Sequence, residues 1–86
     1  MAAFFKALGH PTRMRIVKAL LDGHRCVGDI EEYLDLTQTN TSQHLQVLRS
    51  NRIVDCLKDG NTRCYHLSDP VRIRAILRMV EDRKER

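Results

Sequence analysis

The chain has 86 residues, 42% hydrophobic and 30% charged, with a formal charge of +4. That length suits one small domain spanning 1–86, and its limited capacity for burial makes a partner chain a reasonable expectation. No apolar run approaches the roughly 18 residues of a membrane span, and the opening MAAFFKALGHPTR is interrupted too early by Gly9 and Pro11 for a signal peptide. The expectation is a soluble, cytoplasmic protein with no membrane partner. Arginines outnumber lysines among the basic residues, which favours phosphate and base contacts over solubility alone. The cysteines, at 26, 56 and 64, form no CxxC pair, so a disulfide scaffold is not expected in the reducing cytosol.

The segment AAFFKALGH predicts a short amphipathic helix ending at Gly9. PTRMRIVKALLDG restarts with Pro11 in a first-turn position, where its missing N–H is not needed, and ends at Asp22-Gly23. CVGDIEEYLDL repeats the helical spacing through Val27, Ile30 and Leu34. Thr37 then offers an N-cap hydroxyl to a helix running to about Ser50. Two helices joined by so tight a link read as a helix-turn-helix. RIVDCLKDGNTRCYHLSD changes to strand-like composition around Asp59-Gly60, a hairpin signal. Finally Ser68 or Asp69 caps a helix opening with Pro70, whose apolar stripe is broader than packing on one neighbour requires.

The fourth helix carries the most informative pattern. On a wheel of about 100° per residue, Thr41, Leu45 and Leu48 cluster on one arc and must face the core. Thr39, Gln43, Gln46 and Ser50 lie opposite, flanked by Asn40, Ser42 and Val47. An ordinary solvated face would hold Glu and Lys, which are better helix formers. Here the outward face is amides and hydroxyls with no carboxylate. Gln and Asn can pair bidentately with adenine, and Ser and Thr can address several base edges. Gln38, Thr39, Asn40, Ser42, Gln43 and Gln46 are therefore candidates to read DNA in a major groove, with Arg49 beside them. Lys58, Asn61 and Arg63, near the hairpin tip, are candidates to hold phosphates as a wing. Arg13 and Arg52 are further candidate phosphate contacts.

FFKALGHPTRMRIVKALLDG, followed by CVGDIEEYLDLTQTNTSQHLQVLRSNRIVDCLKDGNTRCYHL, resembles the ArsR/SmtB family of bacterial winged-helix repressors. LTQTNTSQHLQVLRSNRIV is similar to that family's LSQPTVSRHLKVLREAGLV segment, and KDGNTRCYHL to its wing. The resemblance covers about Phe4 to Leu67. It implies a mainly α winged helix-turn-helix with a small β-hairpin, dimeric through its first and last helices. It also implies a repressor that binds a double-stranded DNA operator dyad as a homodimer and is released by an inducer, here unknown. The apolar residues Phe4, Phe5, Ile73, Ile76, Leu77 and Val80 suit the dimer interface on their own composition.

The family's soft-metal sensors carry a CVCDL-type motif where this chain reads CVGDI. Cys26 matches the first thiol and Gly28 replaces the second, and soft ions want two or three thiolates. Its zinc sensors place His and Asp pairs on the last helix, but no histidine follows His66. No metal and no cofactor is expected. Cys26, Cys56 and Cys64 read as small apolar fillers, as a thiol sensor or as part of a metal site, and His24 and His10 could join such a site although a lone His is more often structural; His44 supports packing or touches the backbone. Cys56 and Cys64 fall on the two hairpin strands, opposite or one step diagonal, and the register decides whether they could bridge. Asp29, Glu31 and Glu32 read as a solvated face, so an enzyme is not expected. The alternative is a winged-helix module for protein contacts without sequence-specific DNA binding.

Overall fold

The computed structural model describes residues 2–84, with the side chains of all of these except 58, 59 and 81–84. The element order is α1 (Ala2–Gly9), α2 (Pro11–Leu21), α3 (Val27–Leu34), α4 (Gln38–Ser50), β1 (Val54–Asp59), β2 (Thr62–Leu67) and α5 (Pro70–Lys84). α2 is the hub, packing against α1, α3, α4 and β2, while α4 also rests on α3 and β1. Ile16 and Val17 of α2, Ile30 of α3, Leu45 and Leu48 of α4 and Val54 of β1 are fully enclosed. With Leu20 of α2, Leu34 of α3 and Thr41 of α4, also buried, the helical members fall at i, i+3 and i, i+4 spacings, and their shared burial fixes how the helices cross.

Local hydrogen bonding sets where each helix begins and ends. The His10 ring accepts the Thr12 N–H at 3.1 Å, capping α2 ahead of Pro11. The Thr37 hydroxyl accepts the Asn40 N–H at 3.1 Å and so opens α4. Three helices then close in the same way. Gly23, Asp35 and Arg52 take positive φ (100°, 55° and 60°). The N–H groups of His24, Leu36 and Ile53 bond back to the carbonyls of Ala19, Glu31 and Leu48 at 3.0, 2.9 and 2.9 Å. This is the six-to-one closure of a Schellman motif, which normally takes glycine at its left-handed position. Asp35 makes the turn between α3 and α4 short, and Arg52 turns the chain straight from α4 into the hairpin.

In the hairpin, Val54 pairs with Leu67 and Asp59 with Thr62, leaving Gly60-Asn61 as the two-residue loop. The turn is thus centred one residue later than Asp59-Gly60. Gly60, at φ 64°, supplies the positive φ at the first central position. Cys56 lies opposite Tyr65, and Cys64 opposite Leu57. Successive strand residues face opposite sides, so Cys56 and Cys64 are on different faces and cannot bridge. Cys64 instead bonds Cys26, with S–S 2.00 Å. This corrects the expectation of unpaired thiols. The two Cα atoms are 3.8 Å apart, against about 4.4–6.8 Å for most bridged cysteines. The close approach follows from backbone pairing at the same place: Cys26 and Cys64 form an isolated antiparallel bridge, and the Tyr65 N–H donates to the Arg25 carbonyl at 2.7 Å.

α5 is capped by Asp69, whose carboxylate accepts the Arg72 N–H at 3.1 Å, while the Ser68 hydroxyl donates to Asp55 at 2.9 Å. Ile73 and Leu77 are 1% and 6% exposed and belong to this chain's own core. They are thus largely enclosed within the protomer and have little surface left for the dimer interface expected of them. Phe4 and Ile76 are half-buried against the core, and Phe5 and Val80 remain exposed, together with Val71 (77%) and Met79 (68%). The stripe divides because α5 runs past the end of the body after Leu77. α1 is tied to α5 by the Arg72 guanidinium, 5.4 Å from the centre of the Phe4 ring.

Candidate nucleic-acid interface

α4 is held from below and left open above. Thr41 is fully buried, and its hydroxyl donates to the Thr37 carbonyl at 2.8 Å, so the buried oxygen is satisfied within the first turn. Leu45 and Leu48 complete the inward face. Gln38, Thr39, Asn40, Gln43, Gln46, Arg49 and Ser50 are exposed, and Ser42 is half-buried. Among the described residues, the side chains of Gln38, Thr39, Asn40, Ser42, Gln43 and Gln46 make no hydrogen bond within the protein. The contrast is Asn51, whose amide donates to the Val47 carbonyl at 2.9 Å and closes the helix. A row of uncommitted amides and hydroxyls over a rigid helix can match an external pattern of donors and acceptors.

The wing supplies cationic and polar groups beside this helix. Asn61, Thr62 and Arg63 are exposed at the tip; the Lys58 side chain lies outside the described residues. Arg49 and Arg52 are exposed at the C-terminal end of α4. Arg13 differs from the expectation. It donates from Nε to His44 Nδ1 at 3.3 Å and from its terminal nitrogen to the Ala7 carbonyl at 3.3 Å, so it serves the fold instead of reaching outward.

His44 sits on the inner flank of α4, its ring centre 4.7 Å from that of His10. Burial, then the charge of His10 and of Arg13, lower its pKa below 6.5. A neutral imidazole accepting from Arg13 on Nδ1 must carry its proton on Nε2. His10 and His44 thus brace α4 against α2. His24, the other histidine considered beside Cys26, bonds the Asp29 carboxylate at 2.9 Å and stacks on Tyr33 with ring centres 3.8 Å apart. Cys56 is half-buried beside Tyr65, whose hydroxyl pKa is raised by burial and then by the neighbouring thiol. Among the described residues, no three His, Cys, Asp or Glu side chains converge to hold a metal. Nor, among them, is any helix long and apolar enough to cross a membrane.

The Cys26–Cys64 pairing was missed because no sequence spacing announces it. It depends on the start of α3 lying along β2, a contact set by tertiary packing. The signal that was available is the alternation in TRCYHL, which puts Cys64 and Tyr65 on opposite faces, so that both could be buried only if a second element covered the outer face.

A family model described as bacterial regulatory protein, arsR family, matches residues 10–56. That is more than half of the chain. It belongs to the arsR family. An HTH-type transcriptional regulator of Mycobacterium tuberculosis, Rv0081, is 40% identical over 70 residues, covering 80% of this chain and 61% of the relative. The chain thus spans about three-fifths of that protein's length. The regulator CmtR of the same organism is 38% identical over 81 residues, covering 94% of this chain and 69% of CmtR. In structure, Rv0081 superposes with a TM-score of 0.83 over 95% of this chain and 85% of that one, at 38% identity. The Mycobacterium bovis protein Mb0332, solved as a homodimeric winged helix-turn-helix DNA-binding domain, gives 0.84 over 94% and 77%, at 30% identity. The arsR-family fold is therefore a winged helix-turn-helix in this chain too, with α3 and α4 as the helix pair and β1–β2 as the wing. Its family and relatives are transcriptional regulators, not enzymes.

Proposed function

We propose that this chain is a sequence-specific DNA-binding regulator, a repressor that grips an operator dyad as a homodimer in the cytoplasm. The observation that carries the reading is the uncommitted polar face of α4. Gln38, Thr39, Asn40, Ser42, Gln43 and Gln46 read base edges, while Arg49, Lys58, Asn61 and Arg63 hold phosphates on either side. The dimer forms through Phe4, Phe5, Ile76 and Val80, extended by Val71 and Met79. α5 supports this role because it is the element least attached to the rest of its own chain.

The test is selection of binding sites from random duplex DNA, followed by affinity measurements on the selected site and on scrambled DNA. Gln43→Ala should cost about 1–3 kcal/mol on the selected site and little on scrambled DNA, whereas Arg63→Ala should weaken both alike. Affinity should also fall steeply with salt. No enriched sequence, or unchanged affinity when Gln43 and Gln46 are both alanine, would favour a protein-interaction module instead.

Release by thiol chemistry is the inducer reading that the Cys26–Cys64 contact supports. In oxidation, the two thiols lose two electrons and two protons to a small disulfide, which becomes two thiols, and the new bond ties the start of α3 to the wing. Cys56, on the other face of the hairpin, takes no part. The measurement is operator affinity of the oxidised and reduced protein beside Cys26→Ser. Equal affinity in both redox states would remove the sensor role.

A further inference from the structure

Away from α4, a solvent-open cleft of roughly 470 Å³ lies between the end of α2, the outer side of the hairpin and the first turns of α5. Its volume falls within the range of small-ligand sites, about 300–1,000 Å³. Leu20, Leu57 and Leu67 are among the apolar residues of its wall, and Arg25, His66 and Arg74 supply its polar part. Leu57 is half exposed here although it sits mid-strand. Arg25 and Arg74 are exposed, and neither guanidinium has a carboxylate partner among the described residues. On β1, Asp55 lies opposite His66 in the register and accepts a hydrogen bond from Ser68. His66 Nδ1 is 3.2 Å from the Leu67 carbonyl, which can only accept, so Nδ1 donates there and His66 is tied to its own strand.

We propose that this cleft binds a small organic anion with an apolar body, of the medium-chain or aryl carboxylate class. The carboxylate pairs with Arg25, from the link between α2 and α3, and Arg74, from α5, which fix its position from two directions. The hydrocarbon body covers the half-exposed Leu57 and the partly exposed Leu21 and removes that surface from water. A free phosphate or a neutral hydrocarbon satisfies only half of the cleft. The site shares no residue with the face of α4, and the proposal stands whether or not that face reads DNA.

The experiment is an amide chemical-shift titration of the full chain, without DNA, using decanoate below its micellar concentration, with decanol and acetate as controls. Decanoate should produce saturable shifts at Leu21, Arg25, Leu57, Leu67 and Arg74, and bind at least about tenfold more tightly than either control. The double variant Arg25→Ala, Arg74→Ala should lose that advantage and bind decanoate no better than decanol. Both arginines are exposed, so the variant should keep its fold, which its own amide spectrum reports. Shifts centred on Phe5, Met79 and Val80 would overturn the assignment. So would equal affinity for decanol, an unchanged double variant, or no saturable shift at all.

Discussion

Reducing the Cys26–Cys64 bond should cost the protein a large part of its stability. The two residues are 38 apart in sequence, so the bond closes a long loop that contains α3, α4 and β1. In the chain-entropy account, a loop of that length removes about 13 cal/mol/K from the unfolded ensemble, or about 4 kcal/mol at 25 °C. A domain of this size has roughly 4–13 kcal/mol in total. The assay is urea unfolding of the oxidised protein against protein treated with dithiothreitol, with the bond state checked by intact mass. With a slope of about 1–2 kcal/mol/M, the midpoint should fall by about 2–4 M. Cys26→Ser and Cys64→Ser should each reproduce the reduced curve, and the double mutant should add nothing, because either change removes the same bond. Cys56→Ser should leave the gap between oxidised and reduced protein intact. If oxidised and reduced curves agree within about 1 kcal/mol, the loop-closure argument is wrong for this fold.

Other expectations are narrower. Arg52→Gly should raise stability by roughly 1 kcal/mol, since glycine takes the left-handed position without the penalty that a Cβ carries there, and calorimetry reads it; a lower melting temperature would contradict the account of that turn. For pH, the lowered pKa of His44 fixes the sign. Its contribution is complete above the ordinary imidazole value of 6.5 and is lost as pH falls through the lower folded value. Urea midpoints at pH 7.5 and pH 5 should therefore differ less in His44→Gln than in the wild type. Val80→Glu should shift a dimer toward monomer in sedimentation without unfolding the chain, because Val80 is exposed in the protomer; an unchanged sedimentation coefficient would move the interface elsewhere.

Element order and helix limits were legible in the sequence because they depend on neighbours in the chain. Thr37 caps α4, Pro11 opens α2, and Gly23 ends it, each through contacts within a few residues. The face of α4 was legible for the same reason, since Thr41, Leu45 and Leu48 fix its rotation. What escaped depended on distant packing. Ile73 and Leu77 share an arc of the wheel with Val80, and periodicity cannot say where along α5 the body ends. Arg13 looked like any surface arginine until His44 and the Ala7 carbonyl were placed beside it. Asp35 and Arg52 occupy positions where glycine is the usual marker, so the tight closures of α3 and α4 carried no compositional signal.

Because the amides and hydroxyls along the outer side of α4 bind nothing inside the protein, exchanging them should scarcely disturb folding. Thr37, Thr41, Leu45, Leu48 and Asn51 hold that helix in place without their help. With that face reading base edges as proposed, the scaffold and the address are separately editable. A set of chains differing only at Gln38, Thr39, Asn40, Gln43 and Gln46 could share one melting temperature while choosing different sites on a genome. Diversification of such regulators would be limited by which DNA sequences remain unclaimed, not by how much change the fold tolerates.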